Sequence, residues 1–174
     1  MTIRPLKPAD VALFRRLRLF GLQESPTAFG SSYKQAKKIP LKEHAKRLNL
    51  TRSEGVVVGA FEKNQLVGIG GLLRHDGIKE RHKAFVWGMY VQPEFRKRGI
   101  GRAILNRLVA TAVSIKGLII VKLAVESSNI PAKKLYESFG FRIIGREPKA
   151  LCVDGVFFDE DFMILEMERK NPNI

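Results

Sequence analysis

The chain has 174 residues, 45% of them hydrophobic, enough for one domain with a sizeable core and too few for two. His44, His75, His82 and the lone Cys152 share no ligand spacing, so no metal site and no internal disulfide are expected, and Cys152 reads as a packed or incidental thiol. A net charge of +14 favours polyanionic partners, whereas the lack of a long apolar run excludes a helical membrane span, and residues 1–7 lack the apolar core of a signal peptide, which points to a soluble, cytoplasmic protein.

In chain order, the pattern predicts a strand over 2–5 and a helix over 10–23. Val11, Phe14, Leu17 and Phe20 form the apolar face of that helix, and Arg15, Arg16 and Arg18 its solvated side. Residues 24–32 are a loop by composition, and a shorter helix over 41–50 starts after Pro40. Strands over 56–61 and 66–73 flank a hairpin turn at 62–65, and a further strand, carrying Trp87, covers 83–91. A helix over 102–114 precedes the apolar strand 118–125. After a short helix that begins beyond Asn129 and stops at Gly140, strands over 141–146 and 157–167 close the pattern around a turn at Asp154 and Gly155. The fold class is therefore α/β: one domain over 1–174, its mixed, mostly antiparallel sheet of six to seven strands flanked by helices.

The junction between the strand 83–91 and the following helix is the most informative segment. Residues 96–102 read Arg-Lys-Arg-Gly-Ile-Gly-Arg, a glycine-punctuated loop feeding a helix N-terminus among four cations. Free amides at such a terminus and glycines that permit close backbone approach suit a pyrophosphate. The loop lacks the Gly-Lys-Ser/Thr ending of a nucleoside-triphosphate site, and its position in mid-chain argues against a dinucleotide fingerprint. A second segment, 123–141, reads as a strand, an Asn129 cap with Pro131 in the first turn, a short helix carrying Leu135 and Tyr136, and a Gly140-Phe141 stop.

Together, Arg-x-x-Gly-x-Gly and Asn-x-x-Ala-x-x-Leu-Tyr-x-x-x-Gly-Phe resemble the two hallmark motifs of the GNAT superfamily of N-acetyltransferases, strongly from Trp87 to Phe141 and weakly before Val56. The resemblance implies a sheet splayed beside the glycine loop and acetyl-CoA as co-substrate. It assigns the backbones of Met89, Tyr90 and Val91 to the thioester carbonyl and pantetheine, and Arg96, Lys97, Arg98, Gly99, Ile100, Gly101 and Arg102 to the pyrophosphate. Asn129 and Ala132 match further cofactor contacts, and Lys133 and Lys134 are candidates for the 3′-phosphate.

Acetyl transfer to an amine needs a polarised carbonyl, a base for the ammonium proton and an acid for the departing thiolate. Tyr136 matches the family's acid, and also lies against the cofactor. Histone-type members carry a glutamate four positions before the polarising amide, where this chain has Phe85. Glu126 is the best local candidate for a base, with Glu24, His82 and Glu80 behind it, and an amine can also shed its proton to water.

The acceptor wall of the resembled family lies between the first two helices, which nominates Glu24, Phe29 and Tyr33 as substrate-binding residues. A small-molecule or peptide amine is the expected partner, with a homodimer as a possible assembly. An amine that also carries a carboxylate or phosphate suits the basic surface better than a polyamine does, unless Asp159, Glu160 and Asp161 line the pocket. Nucleic acid is not the expected partner, because no recognition motif accompanies the charge. A module of the same fold that senses acetyl-CoA without catalysis is the rival reading.

Overall fold

The computed structural model describes residues 1–167; residues 168–174, the end of the expected domain, lie outside the described residues. Seven strands form one sheet in the order β1-β2-β3-β4-β5-β7-β6. They are β1 (Thr2–Pro5), β2 (Gly55–Glu62), β3 (Gln65–Arg74), β4 (Lys83–Val91), β5 (Ile120–Glu126), β6 (Arg142–Val153) and β7 (Val156–Glu166). Every neighbouring pair is antiparallel except β4 and β5, which run parallel. A parallel pair needs a long crossover, and α4 (Ile100–Ser114) supplies it.

Two hairpins tie the sheet together by the same backbone device. Lys63 and Asn64 between β2 and β3, and Asp154 and Gly155 between β6 and β7, all have positive φ. Two left-handed residues in succession give a turn whose twist matches that of the flanking strands.

The sheet is covered on both faces. On one, α4 buries Ile104, Leu105 and Leu108 completely against Val58, Val67, Leu72, Val121 and Leu123. Each such side chain contributes about 1.5–3 kcal/mol. On the other, α1 (Val11–Glu24) and α3 (Leu41–Leu48) pack Phe14, Leu17 and Leu48 against Val57, Leu66, Ile69 and Tyr90. Asp10 anchors the start of α1 to β1, accepting two hydrogen bonds from the Arg4 guanidinium at 2.7 and 2.8 Å and one from the Lys7 amide.

Three expectations need correction here. Arg18 belongs to the buried face of α1, with only 6% of its surface exposed, whereas Phe20, assigned to the apolar face, is 42% exposed. The stretch read as connection contains α2 (Tyr33–Lys38), a six-residue helix capped by Ser32, whose hydroxyl accepts from the Gln35 amide. Finally, β6 runs to Val153 rather than stopping near residue 146. It is an edge strand, and its register shifts between Glu147 and Leu151, around Pro148, where a ladder donor is missing.

Candidate active site

The parallel pair holds together over only three residue pairs, Lys83 with Ile120, Ala84 with Val121 and Phe85 with Lys122. Beyond Phe85 the strands part, and β5 continues to pair with β7 alone up to Glu126. The resulting cleft contains a cavity of about 300 Å³ lined by residues 85–89 of β4 and 124–126 of β5. That size suits part of a small ligand.

A bulge shapes the β4 wall. Trp87 pairs with Gly71 and Tyr90 with Ile69, so Gly88 and Met89 together oppose Gly70. Gly88 has φ 63°, the left-handed conformation that glycine adopts at such a bulge. The ladder is interrupted there, at the point where β4 has no β5 partner on its other side.

Past β4 the chain turns through left-handed conformations at Lys97 and Gly99 before α4 begins. Gly99 caps α4 without any side-chain hydrogen bond, so the first amides of a 15-residue helix stay available. Gly101, within the helix, has no conformational need for glycine, and a Cβ there would meet Leu135 only at an ordinary 3.4 Å. The fold itself therefore does not require a glycine at this position. Lys97 and Arg98 are exposed beside these amides, and Arg102 donates to the Ser138 hydroxyl at 2.9 Å. A diphosphate fits this set: free amides, no side chain at Gly101 and three cations.

The fourth cation of the loop does something else. Arg96 grips the Glu24 carboxylate at 2.6 and 3.2 Å and donates from Nε to the Val91 carbonyl. Glu24 also accepts from the Ser25 and Tyr90 hydroxyls. Burial pushes the Glu24 carboxyl up, but Arg96 and the two hydroxyls outweigh it and hold it below the usual range. Glu24 and Arg96 thus lock the end of α1 to the loop before α4, and neither lines the cavity. The Tyr90 side chain is likewise core, packed between Phe20 and Phe29, and its own pKa is driven upward by burial and by Glu24. Ile100 is buried in the other core, so of these two only backbone can face a ligand.

On the far wall, α5 (Ile130–Glu137) presents Tyr136 and Ala132 to the cavity. Asn129 caps this helix, accepting from the Ala132 amide at 3.2 Å as its position in sequence predicts. Tyr136 is 7% exposed with its ring against Phe141, and burial raises its pKa to about 12. Lys133 does not reach outward: its ammonium donates to Asp161 at 2.7 Å and to the Ser127 carbonyl. Asp161, fully buried, also accepts from Arg146, and hydrogen bonds from Arg146 and Lys133 hold its carboxyl low against the effect of burial. This triad fixes α5 to the β6–β7 hairpin. Lys134 remains exposed.

The acidic stretch of β7 therefore divides. Asp161 is structural, and Asp159 accepts from the Lys149 amide, while Glu160 lines the cavity. Glu160 stands directly between Glu126 on β5 and Glu147 on β6. Like charges in cross-strand register are unfavourable, and burial together with Glu147 and Glu126 raises the Glu160 pKa. Glu126 lines the cavity too, but both its oxygens are occupied, one by the Ser128 amide at 2.9 Å and the other by the Ser128 hydroxyl at 2.8 Å. Glu160 has no ion-pair partner among the described residues.

Of the acceptor candidates, Phe29 lines the cavity, whereas Tyr33 packs on the second core with Lys37 over its ring. Glu80 and His82, in the turn before β4, lie away from the cavity lining. The structure adds Arg18, Ser31 and Trp87 to the lining, none of which the sequence motifs contain, and of the three acids Asp159, Glu160 and Asp161 it brings only Glu160 there.

The strand split, the β4 bulge, the free N-terminus of α4 and the tyrosine on α5 lie around one cleft. Residues 22–141 match the family described as "Acetyltransferase (GNAT) family". The chain belongs to this family and is by class an acetyltransferase. It is 31% identical over 125 residues to L-amino acid N-acyltransferase MnaT of Escherichia coli K12, covering 71% of this chain and 67% of that protein. The fold matches a GNAT-family acetyltransferase from Streptococcus pneumoniae with a TM-score of 0.83 at 21% identity, over 95% of this chain and 99% of that one. It also matches yncA of Salmonella typhimurium, solved with its cofactor acetyl-CoA, with a TM-score of 0.80 at 22% identity, over 99% and 98% of the two chains.

Proposed function

We propose that this protein moves the acetyl group of acetyl-CoA directly to the primary amine of a small molecule, with both substrates bound together. The observation that carries the reading is the cavity at the strand split, where the Tyr136 phenol and the Glu126–Glu160 carboxylate pair line one space of about 300 Å³. The relative's name as an N-acyltransferase and the acetyl-CoA bound to yncA support it.

In this reading the amides of α4, with Lys97, Arg98 and Arg102, receive the diphosphate. The backbone at the Met89 bulge polarises the thioester carbonyl, and the Val91 strand edge, Asn129 and Ala132 hold the pantetheine. Glu160, not the Glu126 that sequence position suggests, takes the proton from the acceptor ammonium, because its carboxylate is unpaired and its pKa is raised toward the working range. The free amine forms a C–N bond with the acetyl carbon as the C–S bond breaks; Tyr136 protonates the leaving sulfur, and the proton that the nitrogen sheds on becoming an amide restores the Tyr136 phenol. Glu126, held by Ser128, adds negative potential that keeps the ammonium in place.

The test is a screen of amines with purified protein and acetyl-CoA, following release of the free CoA thiol and the mass of the product. Acetylated product that vanishes in Tyr136→Phe supports the assignment. Tight acetyl-CoA binding with no product from any amine would favour the sensor module instead.

A further inference from the structure

Arg18 lines the cavity with a positive charge that the transfer reaction leaves unused. It sits in the middle of α1 with 94% of its surface covered, yet neither Nε nor Nη1 has a hydrogen-bond partner. Its single bond is a long one, from Nη2 to the Ser31 hydroxyl at 3.3 Å. The guanidinium lies between the rings of Phe29, at 5.8 Å, and Trp87, at 5.6 Å. Nη1 stands over the bulge, 3.2 Å from where a side chain on Gly88 would begin. Burial, and after it repulsion from Arg47, lower its pKa to about 10.

A buried guanidinium without an anionic partner is costly, and the two rings and the Ser31 hydroxyl offset only part of that cost. Packing alone could use a methionine or leucine at this position. Nη1 and Nη2 form the outer edge of the guanidinium, and with Nη2 making only one long bond, that edge offers a carboxylate two parallel N–H groups. The opposite wall of the same cavity carries Glu126 and Glu160, with no ion pair linking them to Arg18 among the described residues. One end of the cavity thus asks for an anion and the other for an ammonium.

We propose that Arg18 is the receptor for a carboxylate on the acceptor, so that the substrate is a small amino acid-like zwitterion whose carboxylate docks on Arg18 and whose amine meets Glu160. The Phe29 and Trp87 rings exclude water from the pair and strengthen it. This rests on the cavity being the site of acetyl transfer, and it assigns the acceptor half of that site.

The experiment compares L-amino acids with their carboxamides, and with a short peptide bearing a free N-terminus, as acceptors for the parent, Arg18→Met and Arg18→Lys. In the parent, kcat/KM should favour the carboxylate over the carboxamide by about a hundredfold or more. In Arg18→Met that ratio should collapse toward unity, with Arg18→Lys between them and acetyl-CoA affinity retained in all three. Calorimetric titration of the same amino acids into CoA-saturated protein reads binding without turnover. Arg18-dependent amino acid binding with no product would keep the carboxylate receptor and discard the transfer reaction. Product formation with equal or better use of carboxamides or peptide would do the reverse and overturn the role of Arg18. Stability provides a separate readout: Arg18→Met should unfold at the same or a higher temperature, since it removes an uncompensated charge. A destabilised Arg18→Met whose acceptor preference equals the parent's would make Arg18 a packing residue and overturn the proposal, and Arg18→Lys carries the comparison if the methionine variant does not fold.

Discussion

With its pKa raised by burial to about 12, the Tyr136 phenol keeps its proton throughout the neutral range, as the acid of the proposed reaction must. Replacing it with Phe removes only the hydroxyl, so turnover should fall by roughly 10²–10⁴-fold while acetyl-CoA affinity, read by calorimetry, persists. Parent-like turnover between pH 6 and 9 would return Tyr136 to packing. Glu160 gives the opposite limb. In the proposed reaction its carboxylate is the active form, and its pKa is raised, so kcat/KM should decline as pH falls through a value above the ordinary glutamate range of about 4.3. Glu160→Gln should lower the rate and abolish that limb, and a limb that survives the substitution would assign the base elsewhere. Tyr136 was legible because a motif fixes its place on a short helix. Glu160 was legible only as one of three adjacent acids, since the choice among Asp159, Glu160 and Asp161 depends on which face of β7 meets the cleft, and that needs the register with β5 and β6. Arg18 follows Phe14 by four positions and so continues the buried stripe of α1; the usual solvation of charged side chains hid what the periodicity carried.

At the level of elements, the N-terminus of α4 separates what the fold requires from what the ligand requires. Gly101→Ala fits the helix without a clash and removes a flexible residue, so it should stabilise the free protein by about 0.5–1 kcal/mol. The same methyl intrudes where the diphosphate must approach, so acetyl-CoA affinity should drop. Thermal unfolding with and without acetyl-CoA measures both effects at once, and an unchanged ligand-induced shift would remove the diphosphate from this loop. Both motif-bearing helices were readable because their caps and stops are local: Gly99 before α4, Asn129 and Gly140 around α5. The helix α2 was not, since six residues with only Tyr33 and Ala36 apolar show no periodicity, and its stability comes from Ala36 packing into the second core. The partners of Arg96, Glu24 and Lys133 were beyond reach for the same reason: each bond spans two elements far apart in sequence, and only the folded chain brings Arg96 to Glu24 or Lys133 to Asp161.

For the whole molecule, the charge of +14 acts at a distance on a co-substrate that carries several phosphates. Capture of acetyl-CoA should weaken as ionic strength rises, because the Debye length falls to about 8 Å at physiological salt and the remote cations are screened. A KM for acetyl-CoA that is flat between low and high salt would confine recognition to direct contacts at the α4 terminus.

The parting of β4 from β5 has a further consequence for where the chemistry resides. Everything that receives negative charge, namely Arg18, the bulged strand and the α4 amides, belongs to the half of the sheet ending at β4. The groups proposed to move protons, Glu160 and Tyr136, belong to the half beginning at β5, together with Glu126. Neither half holds a reaction centre by itself; the centre is a relationship between two slabs hinged at three residue pairs, Lys83 to Phe85 against Ile120 to Lys122. A displacement of about 1 Å between reacting groups can cost about 10²-fold in rate. In the proposed reaction the rate would then depend on apolar residues at the closed end of the wedge, such as Ala84 and Val121, which are buried in the core and lie outside the cavity lining.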